Sequence, residues 1–259
     1  MKALQVLAKL IDKFYLDRER EKREKRKERV RFYISEVGKC PRAIFFRFKQ
    51  APAEEIEPER LRVFEEGEII QQRILRHLFS LGLVRATEIP IPSQEIISGR
   101  ADAIVSFTDE RTLKESQIEI PKEIEFGTPY VLEIKSISGR MNFEKMEPLE
   151  QHIKQLQLYL HFFKIKNGIL LYLNKDTQEM KEFWVDYDEK MVASLLEWFE
   201  ALKKKIEQNT IPKRLPDWPK NWECTKCQFA EICRLAGENE VSWEEFKKQI
   251  ESLENVQQV

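Results

Sequence analysis

The spacing of apolar positions divides the chain into helical ends and a strand-rich middle. Residues 2–31 predict a helix, amphipathic over MKALQVLAKLIDKF and almost wholly charged afterwards. Ser35 is an N-cap candidate, and the apolar spacing of PRAIFFRF after Cys40 predicts a buried helix. A loop rich in Pro and Glu spans residues 50–58; a long helical pattern then runs from Glu59 to Ser80 and stops at Gly82. VRATEIPIP, IISGRADAIVSF and YVLEIKSI are short, β-branched and bounded by Pro, Gly and polar residues, which is the pattern of strands. Residues 108–128 are charged and irregular and read as a hairpin or insert between two of these strands. A helix over about 147–166 follows, with Pro148 in its first turn. GILLYLN and EMKEFWVDY then form a strand pair, and 188–208 is another amphipathic helix. A Pro- and Trp-rich segment and a short charged helix complete the sequence. The order helix, strands, helix, strands, helix predicts an α/β core, a mixed sheet with helices packed on it.

Composition narrows the class. At 259 residues the chain can bury a full core, and its 42% hydrophobic and 34% charged residues describe a soluble globular protein with a heavily charged surface. No apolar run approaches the ~20 residues that span a bilayer. The first apolar positions are interrupted by Lys9, Asp12 and Lys13, unlike a secretory leader, so a mature cytosolic chain without a membrane association is expected. A net charge of −1 does not exclude a nucleic-acid partner, because the placement of the basic residues matters more than their sum. Between Asp17 and Arg31 stand nine Lys/Arg and five Asp/Glu. That stretch fits a solvated helix laced with i,i+4 ion pairs, or a basic arm lying along DNA phosphates. Three regions are expected: a charged N-terminal helix over 1–33, a main domain over 34–236, and a helical tail over 237–259.

The chemistry-bearing residues lie in the middle strands. Within YVLEIKSI, Glu133 and Lys135 share one face while Ile134 faces the opposite layer. Alone, such a pair also fits a surface edge. Asp102, however, sits inside another apolar strand, after Gly99, a glycine that permits a bend. A buried Asp in one strand and E-x-K in the next is how two-carboxylate divalent-metal sites are assembled, and hard oxygen ligands suit Mg²⁺ or Mn²⁺. A metal there would polarise a phosphate and acidify a bound water, with Lys135 orienting that water or stabilising developing charge. His152, Gln155 and Tyr159 are spaced by three and four, which aligns them on one helix face.

Gly99-Arg100-Ala101-Asp102, Glu133-Ile134-Lys135 and Gln155-Leu156-Gln157-Leu158-Tyr159, in this order, resemble the RecB-like branch of the PD-(D/E)XK nucleases. The resemblance implies a restriction-endonuclease-like mixed sheet flanked by helices. It implies that Asp102, Glu133 and the backbone carbonyl of Ile134 bind the metal, that Lys135 is catalytic, and that Gln155 and Tyr159 support the site and contact substrate. His152, Arg100 and Arg42 become candidate DNA contacts. The branch usually carries a histidine ligand in a G-x3-H context; here Gly67-Glu68-Ile69-Ile70-Gln71 places Gln71 at that position. A Gln carbonyl is a harder ligand than imidazole and would act directly or only through water, so weaker metal binding, or a preference shifted from Mn²⁺ toward Mg²⁺, is expected. His77, six residues on, lies about 240° around the helix and is a poor substitute.

In a reducing cytosol, clustered cysteines point to metal or redox chemistry more often than to disulfides. Cys224, Cys227 and Cys233 form C-x2-C-x5-C near one end, with Cys40 far upstream, whereas a structural zinc site more often uses two close pairs. This pattern, with the S-x4-C-P-R run from Ser35 to Arg42, resembles the iron–sulphur nucleases of the same superfamily, including the CRISPR-associated exonucleases and AddB-type helicase–nucleases. It implies a [4Fe–4S] cluster on Cys40, Cys224, Cys227 and Cys233, holding a C-terminal cysteine segment against an N-terminal helical segment. No G-x4-G-K-[ST] P-loop is present, so a stand-alone nuclease is expected rather than an ATP-driven motor. The implied role is trimming DNA, single-stranded or with free ends, for CRISPR spacer acquisition beside the adaptation integrase. A repair, recombination or viral nuclease of the same fold, or a DNA-binding adaptor that keeps the cluster, is the competing reading.

Overall fold

The computed structural model describes residues 5–108, 117–118, 121, 124–138 and 143–257, with side chains through residue 250. Most of the expected insert over 108–128 lies outside the described residues. Two compact units emerge, one drawn from Met1–Val30, Gly38–Val63 and Leu196–Val259, the other from Arg31–Val37 and Phe64–Leu195. The units therefore divide the chain differently from the three consecutive regions expected from sequence.

The second unit holds the sheet. Its five strands are β2 (Val84–Pro90), β4 (Arg100–Ser106), β5 (Pro129–Ile137), β6 (Asn167–Asn174) and β7 (Met180–Asp186), paired in that order. All neighbours run antiparallel except β5 and β6, which are parallel. A parallel pair needs a crossover, and α4 (Glu150–Phe163) supplies it. This mixed sheet with helices packed on it is the α/β architecture the strand pattern predicts. A shorter parallel pairing joins β1 (Phe32–Tyr33) to β3 (Ile97–Ser98).

Strand alternation decides which helix each face receives. Ile70, Ile74 and Leu75 of α3 (Pro58–Ser80) pack with Ala103, Val105, Leu132 and Ile134 on one face. Each buried Ile, Leu or Val among them contributes roughly 1.5–3 kcal/mol. On the opposite face, Gly168 leaves room for Leu156 of α4: an added Cβ would meet the leucine side chain at 2.8 Å. Gly99 is required for the same reason rather than for a bend, since a Cβ there would meet Ile34 Cδ1 at 2.7 Å.

The first unit has its own core. Ala43, Phe45 and Phe46 of α2 (Pro41–Phe48) cluster with Phe229, with Ile232 and Cys233 of α6 (Ala230–Leu235), and with Trp243, Phe246 and Ile250 of α7 (Trp243–Gln257). The C-terminal cysteine segment thus packs on the helix that follows Cys40. Strands β8 (Thr210–Ile211) and β9 (Val241–Ser242) pair antiparallel beside it, and α5 (Glu189–Glu207) fills the interval before them.

Several local expectations are corrected. The first helix, α1, runs only over Val6–Glu24 and buries none of its residues. The purely charged residues beyond it have no apolar stripe with which to prolong the helix. Ion pairs hold α1 instead: Arg20 Nε lies 2.6 Å from Glu55, and Arg62 lies 2.5 Å from Asp12. Ser35 does not cap a helix; it lies in a 3₁₀ turn over Ile34–Glu36, while Cys40 precedes α2 and Pro41 opens it. Pro148 stands before α4 rather than in its first turn, and Lys164, at φ 56°, stops that helix in the left-handed conformation. Among the described residues, no helix is long and apolar enough to cross a membrane.

Candidate active site

The site forms where two strands part. The β4–β5 ladder runs from Ser106↔Pro129 to Ala103↔Leu132 and goes no further. Asp102 and Glu133 are the next residues on either side. The freed N–H of Ile134 is taken by a side chain, donating to Asp102 Oδ2 at 2.7 Å. The carboxylate thereby satisfies a backbone donor that the parting strands would otherwise leave buried and unpaired.

Glu133 is 3% exposed. Its Oε1 accepts from Lys135 Nζ at 2.7 Å and from Gln155 Nε2 at 2.7 Å. Lys135 also donates to Gln155 Oε1 at 3.0 Å, closing a triangle of three side chains. The alternation read from YVLEIKSI holds: Ile134 joins the α3 core, while Glu133 and Lys135 meet α4. Tyr159, one helical turn beyond Gln155, donates to the backbone carbonyl of Arg100 at 2.9 Å, which ties α4 to the start of β4. Burial, reinforced by Glu133, pushes the Tyr159 phenol well above its ordinary range, so it remains a donor.

Gln71, which the resemblance placed in a G-x3-H context, lies beside Asp102. Its Nε2 donates to Asp102 Oδ1 at 2.8 Å and to Glu88 Oε1 at 3.1 Å. Glu88 is a site residue that the sequence pattern did not single out. It lies opposite Asp102, between the pairs Thr87↔Ala103 and Ile89↔Ala101, with a left-handed φ of 53°. Its carboxylate lies 2.5 Å from Arg100 Nε. Asp102, Gln71, Glu88 and Arg100 all line a cleft of about 650 Å³. His152 turns toward β6, where its Nδ1 lies 2.8 Å from the Tyr172 hydroxyl.

Arg42 is corrected: it is not a surface contact for DNA. It is 1% exposed, and its guanidinium donates to the carbonyls of Pro212 (2.6 Å), Gly237 (2.6 Å) and Asn239 (2.9 Å) and reaches Cys233 Sγ at 3.6 Å. The planar fork knits the C-terminal segment to α2 and has no face left for a phosphate.

Two places have the chemistry to hold metal. Glu133 Oε2 is buried with no hydrogen-bond partner, an acceptor whose isolation is costly unless a cation meets it. Asp102 is pushed up to about 8, chiefly by burial and then by Glu133, which is the signature of two carboxylates sharing too little positive charge. An oxygen-binding divalent cation fits both observations. Separately, Cys40, Cys224, Cys227 and Cys233 are all free thiols lining one cavity, and burial pushes Cys40 up to about 11. Among the described residues, no group of three or more His, Cys, Asp or Glu side chains is gathered tightly enough for one metal ion. A pair of carboxylates completed by a backbone carbonyl involves only two such side chains.

Residues 121–234, which include Glu133, Lys135, Gln155, Tyr159 and three of the cysteines, match the family model of the PD-(D/E)XK nuclease superfamily. The match covers 114 of the 259 residues, from β5 through the C-terminal cysteines. It is 26% identical over 213 residues to the CRISPR-associated exonuclease Cas4 of Saccharolobus solfataricus, covering 80% of this chain and 89% of the relative. The crystal structure of SSO0001 shares the fold, with a TM-score of 0.52 at 23% identity, covering 88% of this chain and 96% of that one. An alkaline exonuclease from Laribacter hongkongensis aligns at a TM-score of 0.44 and 12% identity, over 75% of this chain and 92% of its own. Asp102 and Cys40 lie outside the family match, so their membership of the site rests on the contacts above.

Because Asp102 must be ionised to bind a cation, metal binding is expected to depend on pH. Below about 8 the metal-free carboxyl holds its proton, and binding releases it. Affinity for Mn²⁺ should therefore rise about tenfold per pH unit toward 8 and level off above it. Calorimetry in buffers of different ionisation enthalpy reads the released proton directly. A pH-independent affinity with no proton released would contradict this assignment.

Proposed function

We propose that this nuclease is a Mg²⁺- or Mn²⁺-dependent deoxyribonuclease acting on DNA that is single-stranded or has free ends, in the processing of DNA for CRISPR spacer acquisition. The unpaired, buried Glu133 Oε2 beside Asp102 carries the metal part of this reading. The similarity to the Cas4 exonuclease supports the rest. Asp102, Glu133 and the backbone carbonyl of Ile134 would hold the cation, with Gln71 acting on it directly or through a water. The cation would supply Lewis-acid polarisation of the scissile phosphate and a more acidic bound water. Lys135 carries positive charge to the reacting phosphate from a position fixed by Glu133 and Gln155. Gln155 holds that pair in register and Tyr159 fixes α4 to β4; Arg100 and His152 would reach the DNA backbone only by giving up Glu88 and Tyr172.

The four cysteines would hold a [4Fe–4S] cluster, a reading supported by their convergence on one cavity within the first unit. In the cytosol this site would stay reduced and free to load iron. Adaptation integrase proteins are the partners this role requires. The substrate class is tested by incubating the anaerobically prepared chain with Mn²⁺ and either linear or covalently closed circular single strands. Linear DNA should be degraded and circles spared; equal loss of both would replace the free-end reading with an endonuclease.

A further inference from the structure

We infer that Phe79 and Arg76 form a landing platform for one DNA strand, Phe79 stacking on a base and Arg76 holding the adjoining phosphate. This deepens the nuclease reading above and rests on it. Both residues line the same 650 Å³ cleft as Asp102, on the stripe of α3 that also carries Gln71. They are three residues apart, so their side chains are neighbours on the helix surface. Phe79 is 70% exposed. A single exposed phenylalanine would be unremarkable; its setting is what matters. The Arg76 guanidinium is exposed and has no side-chain partner among the described residues, whereas Arg100 across the cleft is paired with Glu88. The cleft thus offers one uncommitted cation next to one uncovered aromatic face.

An aromatic face beside a free guanidinium is the combination that binds single strands without sequence preference, because every base has a π-face and every nucleotide a phosphate. In duplex DNA the bases are stacked on one another, and none is free to lie against Phe79. Gln71 contacts Asp102, and Phe79 is eight residues further along α3, about 12 Å at the helical rise. At about 3.4 Å per stacked nucleotide, that places the stacked base roughly three nucleotides from the scissile phosphate.

The test separates binding from cleavage. In EDTA, fluorescence anisotropy of a labelled oligothymidine should show Phe79→Ala binding about tenfold more weakly than wild type, with Phe79→Trp restoring affinity. With Mn²⁺ the Phe79→Ala loss should appear in KM, while kcat stays within about twofold. Oligonucleotides with one abasic site should bind wild type weakly when the gap lies roughly three nucleotides from the cleavage point, and Phe79→Ala should not sense the gap. Arg76→Ala should lower the slope of log Kd against log salt by about one. Unchanged Kd and KM in Phe79→Ala would overturn the platform while leaving the nuclease reading intact. Phe79-dependent binding without cleavage by wild type would support the platform and sink the cleavage reading.

Discussion

A Lys135→Ala chain is expected to cleave linear DNA about 10³-fold more slowly than wild type while keeping most of its stability. The ammonium group sits between Glu133 Oε1 and Gln155 Oε1, at 2.7 and 3.0 Å, and is the cation delivered by the protein itself to the parted strands. A charge so fixed need not reorganise as the transition state develops, which is why one such group can be worth about 3–4 kcal/mol of barrier. Its structural share is smaller. When Lys135 is truncated, Glu133 Oε1 still accepts from Gln155 Nε2 at 2.7 Å, so that oxygen is not orphaned. The lysine side chain also keeps 22% of its exposure, so its removal opens no sealed cavity. The buried Glu133 carboxylate nonetheless loses its paired cation, so the expected stability cost is about 2–3 kcal/mol. Lys135→Arg keeps the charge but replaces a compact ammonium with a planar fork, and should recover only part of the rate. Single-turnover cleavage with Mn²⁺, beside thermal melting, reads both quantities. A loss below about tenfold in Lys135→Ala would remove this residue from the chemistry and favour the adaptor reading.

How much of this was legible in the sequence depends on the range of the forces involved. The face shared by Glu133 and Lys135 follows from the two-residue period of a strand, which no tertiary contact alters. Gln71 was singled out only by the resemblance to the G-x3-H context, and the structure brings it to Asp102. Glu88 was hidden because its role depends on a left-handed backbone that no residue type announces, since Glu rarely adopts it. Arg42 misled for a different reason. A basic residue after Cys-Pro looks exposed until carbonyls from residues 212–239 are brought around it, and those acceptors are about 170 or more positions away. Gly99 was noticed, but its cause, the approach of Ile34, is again a tertiary contact. The parting of β4 and β5 that creates the site has no local signature; only the register shows it.

The largest stability effect is expected at the cysteines. Cys40→Ala should melt roughly 10–20 °C below wild type, and Gln71→Ala within a few degrees of it. A cluster bonded to Cys40 and Cys233 closes a loop of about 190 residues, and by the chain-entropy relation such a cross-link contributes on the order of 5 kcal/mol, an upper figure. Gln71 contributes two hydrogen bonds from one amide, of which the one to Asp102 is matched by the carboxylate's second bond to Ile134. Its loss should cost about 1 kcal/mol. The cysteine effect has a competing origin, because the Cys40 side chain also packs against the aromatic core of the first unit. Cys40→Ser separates the two causes. It nearly preserves volume but removes the soft thiolate that iron requires. If the cross-link dominates, serine destabilises as much as alanine, and both variants lose the visible absorption and the expected complement of about four irons per chain. Burial holds the bare Cys40 thiol protonated up to about pH 11, so iron must displace that proton on loading. Cluster content after anaerobic reconstitution should accordingly fall as the pH of loading is lowered. Equal melting temperatures for Cys40→Ala and Gln71→Ala, or a wild-type chain carrying one zinc and no iron, would leave the four thiols a packing role or a zinc site and no iron–sulphur cross-link.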